Sequence, residues 1–144
     1  MATRYAPMDA LTTFCEGMNL TASDVVAQSG TDVVLRIGAG WQDMVLVLDV
    51  TALDIVSNDE SYTFLLQGSN GSNMAAPLEN LAQVTLGATE VRPGGARDSV
   101  VGQYIIPCST IMQAEYKYVR LNVIIAGTTP TITFDAWLTK PEAA

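Results

Sequence analysis

The chain has 144 residues, of which 49% are hydrophobic and 15% charged, and its 7 basic and 15 acidic residues give a net charge of −8. This length fits one domain, and the composition is too apolar and too weakly charged for intrinsic disorder. Histidine is absent and the basic residues are scattered. We therefore expect no nucleic-acid partner, no cofactor and no structural zinc, and the commonest general base in enzymes is missing.

The N-terminal segment, residues 1–9, lacks the apolar stretch of a signal peptide, since it contains Arg4, Pro7 and Asp9. The longest uninterrupted apolar run, residues 44–48, is too short to span a bilayer. The sequence therefore predicts no membrane segment and a protein that is made in a cytoplasm and does not use the secretory route. Residues 1–9 form either an extended arm that contacts a partner or a disordered terminus.

Hydrophobic residues alternate with polar ones along much of the chain, which is the period of a β-strand. In chain order, strands are predicted near residues 10–16, at 32–37, at 44–50 and at 61–67. The third segment is apolar on both faces, which is typical of a central strand. Strands also follow at residues 83–87 and 100–106, and Pro107 is expected to end the second of these.

The last two strands have the clearest pattern. They are predicted at residues 118–125 and 131–139, and the Gly-containing and Pro-containing connection at 126–130 predicts an antiparallel hairpin. About eight strands at even spacing indicate an all-β, antiparallel jelly-roll or β-sandwich. The residues expected to face the core are Val119, Leu121, Val123, Ile125, Ile132, Phe134, Ala136 and Leu138.

Three carboxylates, Asp54, Asp59 and Glu60, lie within seven residues. Such a segment either supplies oxygen ligands to Ca²⁺ or forms a solvated turn before the next strand, and its spacing does not match an EF-hand loop. A pair drawn from Asp49, Asp54 and Asp135 would be needed for two-carboxylate glycoside chemistry. No feature of the sequence places two of them together.

The two cysteines, Cys15 and Cys108, are far apart in sequence. They either pair as a disulfide or remain two small buried hydrophobic residues. The aromatic residues also allow two interpretations. Either they line a sugar-binding platform, or they serve as core and interface anchors. The aromatic residues considered for the platform are Tyr5, Trp41, Tyr104 and Trp137.

The segment from Arg92 to Arg97 is rich in glycine and basic. It matches neither the Walker motif nor the dinucleotide-binding fingerprint, because the Lys-Ser/Thr pair and a following helix are both missing. It is therefore interpreted either as a flexible hairpin tip or as an arm that contacts an acidic partner.

Two segments resemble a known family. Residues 116–139 contain a Tyr-x-Arg-Leu strand at 118–121, a Gly/Thr turn and a closing Thr-x-x-Ala-x-Leu-Thr strand at 133–139. This order is similar to the closing strands of tailed-phage capsid cement, or decoration, proteins. Residues 61–69 are similar to an earlier strand of the same group, in which a Leu-Gln-x-Ser segment leads into a long loop.

The resemblance implies a jelly-roll subunit in the virion, on the outside of an icosahedral phage head. Such a subunit would bridge neighbouring copies of the major capsid protein as a homo-oligomer, a dimer or trimer, without an active site or small-molecule substrate. The alternative is a carbohydrate-binding or tail/baseplate β-sandwich module. A jelly-roll hydrolase is disfavoured by the lack of histidine. The candidate interface residues are Tyr5, Met8, Arg92, Arg97, Tyr118 and Arg120.

Overall fold

The computed structural model describes residues 12–37, 43–75, 78–109 and 116–139. Almost all of its regular structure is β, as predicted, and within these ranges no helix has the length and hydrophobicity needed to cross a bilayer. A 3-10 turn covers Thr89–Val91. The strands are β1 (Thr13–Leu20), β2 (Asp24–Val25), β3 (Ala27–Gln28), β4 (Thr31–Asp32), β5 (Leu35–Arg36), β6 (Asp43–Leu53), β7 (Ser61–Ser69), β8 (Leu78–Gly87), β9 (Gly102–Ser109), β10 (Tyr118–Ala126) and β11 (Ile132–Thr139).

The strands form two antiparallel sheets packed face to face. The first sheet has the order β1-β11-β6-β9. The second has the order β2-β10-β7-β8, and the short strand β5 also pairs with β10, so that β2 and β5 together occupy one position. A separate two-stranded ribbon is made by β3 and β4.

This order is that of a single long hairpin that has been rolled up. When β2 and β5 are counted as one strand and the β3–β4 ribbon is left out, the two sheets have eight strand positions. The first position pairs with the eighth (β1 with β11) and the second with the seventh (β2 and β5 with β10). The third pairs with the sixth (β6 with β9) and the fourth with the fifth (β7 with β8). Rolling the ribbon then places β11 beside β6 and β10 beside β7. The result is an eight-position jelly-roll, which is one of the two architectures that the sequence predicts.

The core lies between the two sheets and is built from the predicted alternation. Phe64 of β7 and Phe134 of β11 meet edge to face across it, with ring centroids 5.1 Å apart. The apolar strand β6 is central in its sheet, as expected, because β11 and β9 flank it. Burying such rings contributes roughly 1.5–3 kcal/mol each. The fully buried side chains of the core include Leu46, Leu48, Tyr62, Phe64, Leu66, Val119, Leu121, Val123, Ile132, Phe134, Ala136 and Leu138.

One topological prediction is wrong. The last two strands do not form a hairpin, because β10 lies in the second sheet and β11 in the first. Their connection crosses from one sheet to the other. The predicted facing of both strands is nevertheless correct, since alternation gives each strand one buried face whichever sheet it joins.

Several predicted bounds also differ from the structure. The segment at 32–37 is divided between β4 and β5, and β8 begins at Leu78, five residues before its predicted start. Pro107 does not end β9, which continues to Ser109. Proline is tolerated there because β9 is the edge strand beside β6, and an edge strand leaves half of its N–H groups outside the ladder.

Candidate functional site

The acidic segment at residues 54–60, which follows β6, forms hydrogen bonds within its own loop and with the connection between β10 and β11. Asp54 accepts the N–H of Val56 at 3.0 Å. Asp59 accepts the N–H of Thr128 at 3.0 Å and its hydroxyl at 2.8 Å, and these two bonds lower the pKa of Asp59. Within the described residues, no three Cys, Asp or Glu side chains come together as a metal site would need. The geometry therefore gives the calcium hypothesis no support.

A tyrosine and a buried glutamate complete this connection between loops. The hydroxyl of Tyr62 donates to the carbonyl of Asp54 at 2.5 Å and accepts the N–H of Thr131 at 3.2 Å. Burial raises the pKa of Tyr62 to about 12. Glu60 is fully buried, and its carboxylate accepts the N–H of Ser57 at 3.3 Å. The β6–β7 and β10–β11 connections thus form one closed end of the jelly-roll.

The structure brings together two carboxylates that sequence reasoning could not place. Asp49 of β6 and Asp135 of β11 are direct partners on the outer face of the first sheet, with Gln103 beside Asp49. Asp135 also accepts the N–H of Gly17. The pair lies side by side on a sheet surface, whereas glycoside chemistry requires two carboxylates on opposite sides of a bound sugar. The arrangement does not favour a hydrolase.

Both cysteines are free, buried thiols. Cys15 lies on β1 and Cys108 on β9, which are the two edge strands of the first sheet. With strands about 4.8 Å apart, three strand spacings separate them by roughly 14 Å, which is too far for a disulfide. The question left open by the sequence is therefore answered in favour of two separate buried thiols.

A cavity of about 390 Å³ lies between β1 and the β3–β4 ribbon. Its lining contains one carboxylate and one thiol. Burial raises the pKa of the Cys15 thiol to about 12, so it is not a nucleophile near neutral pH. The lining residues are Cys15, Glu16, Met18, Ala27, Gln28 and Ser29.

The aromatic residues described here do not form a sugar-binding platform. Trp137 is buried with Val45 and Val47 on the outer face of the first sheet. Tyr104 packs toward the core on the inner face of the same sheet, and its hydroxyl donates to the carbonyl of Val100 at 2.5 Å. Two rings on opposite faces of one sheet cannot hold one ligand. The other candidates, Tyr5 and Trp41, lie outside the described residues.

The predicted interface residues divide into separate groups. Tyr5 and Met8 lie outside the described residues, as does the proposed arm at 1–9. Arg92 is half-buried and donates through its guanidinium to the carbonyl of Arg97, so it holds its own loop together. Arg97 is exposed. This loop follows β8 at the closed end, whereas Tyr118 begins β10 at the opposite end, so the two pairs are not brought together.

Tyr118 and Arg120 share the outer face of the second sheet. Arg120 donates through Nε to Oε1 of Gln67 at 2.8 Å, and Gln67 donates through Nε2 to Oδ1 of Asn80 at 3.0 Å. Arg36 of β5 is the direct partner of Tyr118. Sequence reasoning missed Arg36, Gln67 and Asn80, because only the register between strands reveals them.

Comparison with known proteins adds nothing to this surface. No protein-family model matches the chain, and no curated protein matches it in sequence. The function must therefore be inferred from three observations: the jelly-roll topology, the residues on its outer faces and the resemblance of two segments to cement proteins.

Proposed function

We propose that this chain is a non-catalytic structural protein that decorates the outside of a tailed-phage head. There it bridges neighbouring subunits of the major capsid protein as a dimer or trimer. The observation that carries the proposal is the position of the two segments that resemble cement proteins. Two of the three strands that carry the resemblance, β7 and β10, pair over nine residues and build one continuous face, and the third, β11, lies in the other sheet.

The fold and the surface chemistry suit this role. Jelly-rolls occur in viral capsid proteins as well as in lectins. The face of the second sheet offers a broad surface with a tyrosine at the start of β10, an ordered arginine and two exposed apolar side chains, Leu78 and Ile124. Interfaces typically combine such apolar and aromatic anchors with a polar rim.

A protein of this kind stabilises a shell by mass action. It binds the assembled lattice and not the free subunit, so the assembled state gains RT ln(1 + [L]/Kd) of free energy for each occupied site. At a hundredfold excess over Kd this is about 2.7 kcal/mol per site. No chemical step is needed.

The test uses heads assembled without this protein and purified 144-residue chain. The proposal expects the chain to co-sediment with the heads and to raise their disruption temperature. Free major capsid protein is the control, and the chain should not sediment with it. A folded chain that neither sediments with the heads nor changes their disruption temperature would overturn the proposal.

A further inference from the structure

The two outer faces of the sandwich carry charges of opposite sign. In the described part of the chain, the outer face of β11, β6 and β9 presents Asp49 and Asp135 and no lysine or arginine. The outer face of β5, β10, β7 and β8 presents Arg36 and Arg120 and no aspartate or glutamate among the described residues, and Asp24 of the neighbouring strand β2 lies opposite the core-facing Val123. We call the latter the basic face. It is unexpected in a chain whose 15 acidic residues outnumber 7 basic ones.

The basic face is defined by its cross-strand register. Tyr118 and Arg120 are two residues apart on β10, and Arg36 lies directly opposite Tyr118. Strand geometry then places the Cα atoms of the two arginines roughly 8 Å apart. The nearest acidic residue along β8 is Glu79, which is paired with Gly68 on the other side of the sheet and accepts the hydroxyl of Tyr116.

No carboxylate among the described residues pairs with the arginines of this face. Arg120 is held through its Nε by Gln67, and this leaves both terminal amino groups of the guanidinium free within the described residues. Arg36 is exposed, and so is Lys117, the residue that precedes β10. Neither forms an ion pair with another described residue.

Neighbouring like charges on a sheet destabilise the fold, and an acidic chain has carboxylates available to neutralise them. The basic face holds Arg36 and Arg120 on neighbouring strands with no described carboxylate beside them, and this arrangement favours binding of an anion from another molecule. A planar guanidinium with two free amino groups fits a carboxylate in bidentate geometry. Exposed Ile124 and Leu78 lie on the same face and add apolar contact, which favours a protein surface over a small anion.

We infer that the basic face is the docking face of this protein and that its partner is an acidic protein surface whose carboxylates meet Arg36 and Arg120. The inference rests on the proposed function, to which it adds the orientation on the shell. The acidic face, with Asp49 and Asp135, then points away from the shell, because an acidic partner repels it.

The first experiment compares two arginines that are matched in the free protein. Arg36 and Arg97 are both exposed, and neither side chain makes a hydrogen bond or ion pair with another described residue. Arg36→Glu and Arg97→Glu therefore change the net charge equally. On undecorated heads, Arg36→Glu should weaken binding by roughly tenfold or more, because it sets like charges together. Arg97→Glu should bind within about twofold of the wild type if only the basic face docks.

The second experiment needs no heads. The three proteins are passed over a resin coated with poly-L-glutamate at about 0.1 M ionic strength, where the Debye length of about 10 Å screens distant carboxylates of the chain more than contacts at the basic face. The inference expects the wild type and Arg97→Glu to be retained and Arg36→Glu to elute without delay. Equal thermal unfolding midpoints for the three proteins verify that folding is unchanged.

The outcomes separate the two proposals. Heads that bind all three proteins equally overturn the inference and leave the decoration role in place. Heads that bind none of them, together with the expected order on poly-L-glutamate, overturn the decoration role and support an acid-binding face. Loss of wild-type retention on the resin, or equal loss in both variants, overturns the inference.

Discussion

Cys15 is 1% exposed in β1, and burial raises the pKa of its thiol from 9.0 to about 12. In the unfolded chain the thiol loses its proton near pH 9, whereas in the folded chain it keeps the proton until about pH 12. Between these values the unfolded state binds fewer protons, so the free energy of unfolding must fall as the pH rises. The slope from this one group reaches about 1.4 kcal/mol per pH unit.

The prediction is tested with Cys15→Ser, which keeps a similar volume and a donor toward the carbonyl of Phe134, the present acceptor of the thiol. Urea unfolding from pH 8.5 to 10.5 should show a shallower loss of stability in this variant than in the wild type. Cys108→Ser is the comparison, because burial also raises the pKa of Cys108 but that thiol lies less deep. Parallel pH curves for the wild type and Cys15→Ser would contradict the assignment.

The residue scale also shows what a sequence can and cannot reveal about a surface. The sequence makes both Arg92 and Arg120 candidate interface residues, the first in a glycine-rich segment and the second in a strand. Arg92 turns back onto its own loop, and Arg120 is fixed to Gln67 on an open face. The difference comes from partners 5 and 53 residues away, and only the local one is visible without the fold.

At the scale of elements, alternation predicted which residues of β10 and β11 face the core, because period two holds in any antiparallel sheet. It did not predict which strands are neighbours. The wrong hairpin between β10 and β11 shows why: the connection at 127–131 has the composition of a tight turn but crosses between sheets. The crossing connection is hydrogen-bonded to the β6–β7 loop, which lies about 70 residues earlier, and such a contact is not visible in the local sequence.

Gly127 is the position where these two connections meet most closely. Its φ is +117°, and a Cβ atom there would lie 2.6 Å from both the carbonyl oxygen of Asp59 and the Cα atom of Glu60. Backbone atoms on both sides cannot yield without separating the loops. We therefore expect Gly127→Ala to cost at least about 2 kcal/mol of stability, through both conformational strain and steric overlap.

The control for this prediction is Gly94→Ala. Gly94 also has a positive φ, +74°, but a Cβ atom there meets nothing within 4 Å. Gly94→Ala should lower the free energy of unfolding by about 1 kcal/mol, because alanine is strained at a positive φ but meets no steric overlap at this position. Chemical denaturation of both variants measures the difference. Equal losses would mean that the close approach at Gly127 does not stabilise the closed end.

At the scale of the whole molecule, the rolled ribbon makes most pairings distant in sequence. The first long strand pairs with the last, since Thr13 lies opposite Trp137, and β6 pairs with β9 across more than fifty residues. Proteins dominated by such contacts fold slowly, in milliseconds to seconds, because loop closure precedes the stabilising contacts. The same topology leaves the two ends of the described chain as neighbours.

This proximity predicts that the chain tolerates circular permutation. Joining Ala144 to Met1 adds no residue and connects the ends of β11 and β1, which already lie side by side. New termini between Gly94 and Gly95 would sever only a local turn, in which the N–H of Gly95 donates to the carbonyl of Arg92 at 3.0 Å. We expect this permutant to fold with the full β circular-dichroism signal and to lose less than about 2 kcal/mol.

A second permutant, opened between Gly127 and Thr128, should behave differently. Its new ends fall inside the contact between Asp59 and Thr128, and they release the connection that carries the chain from one sheet to the other. Its stability should fall well below that of the first permutant, although both keep every residue and the same new junction. If the two permutants unfold at the same denaturant concentration, then the closed end does not hold the sheets together, and the stability of the molecule resides in the core between them.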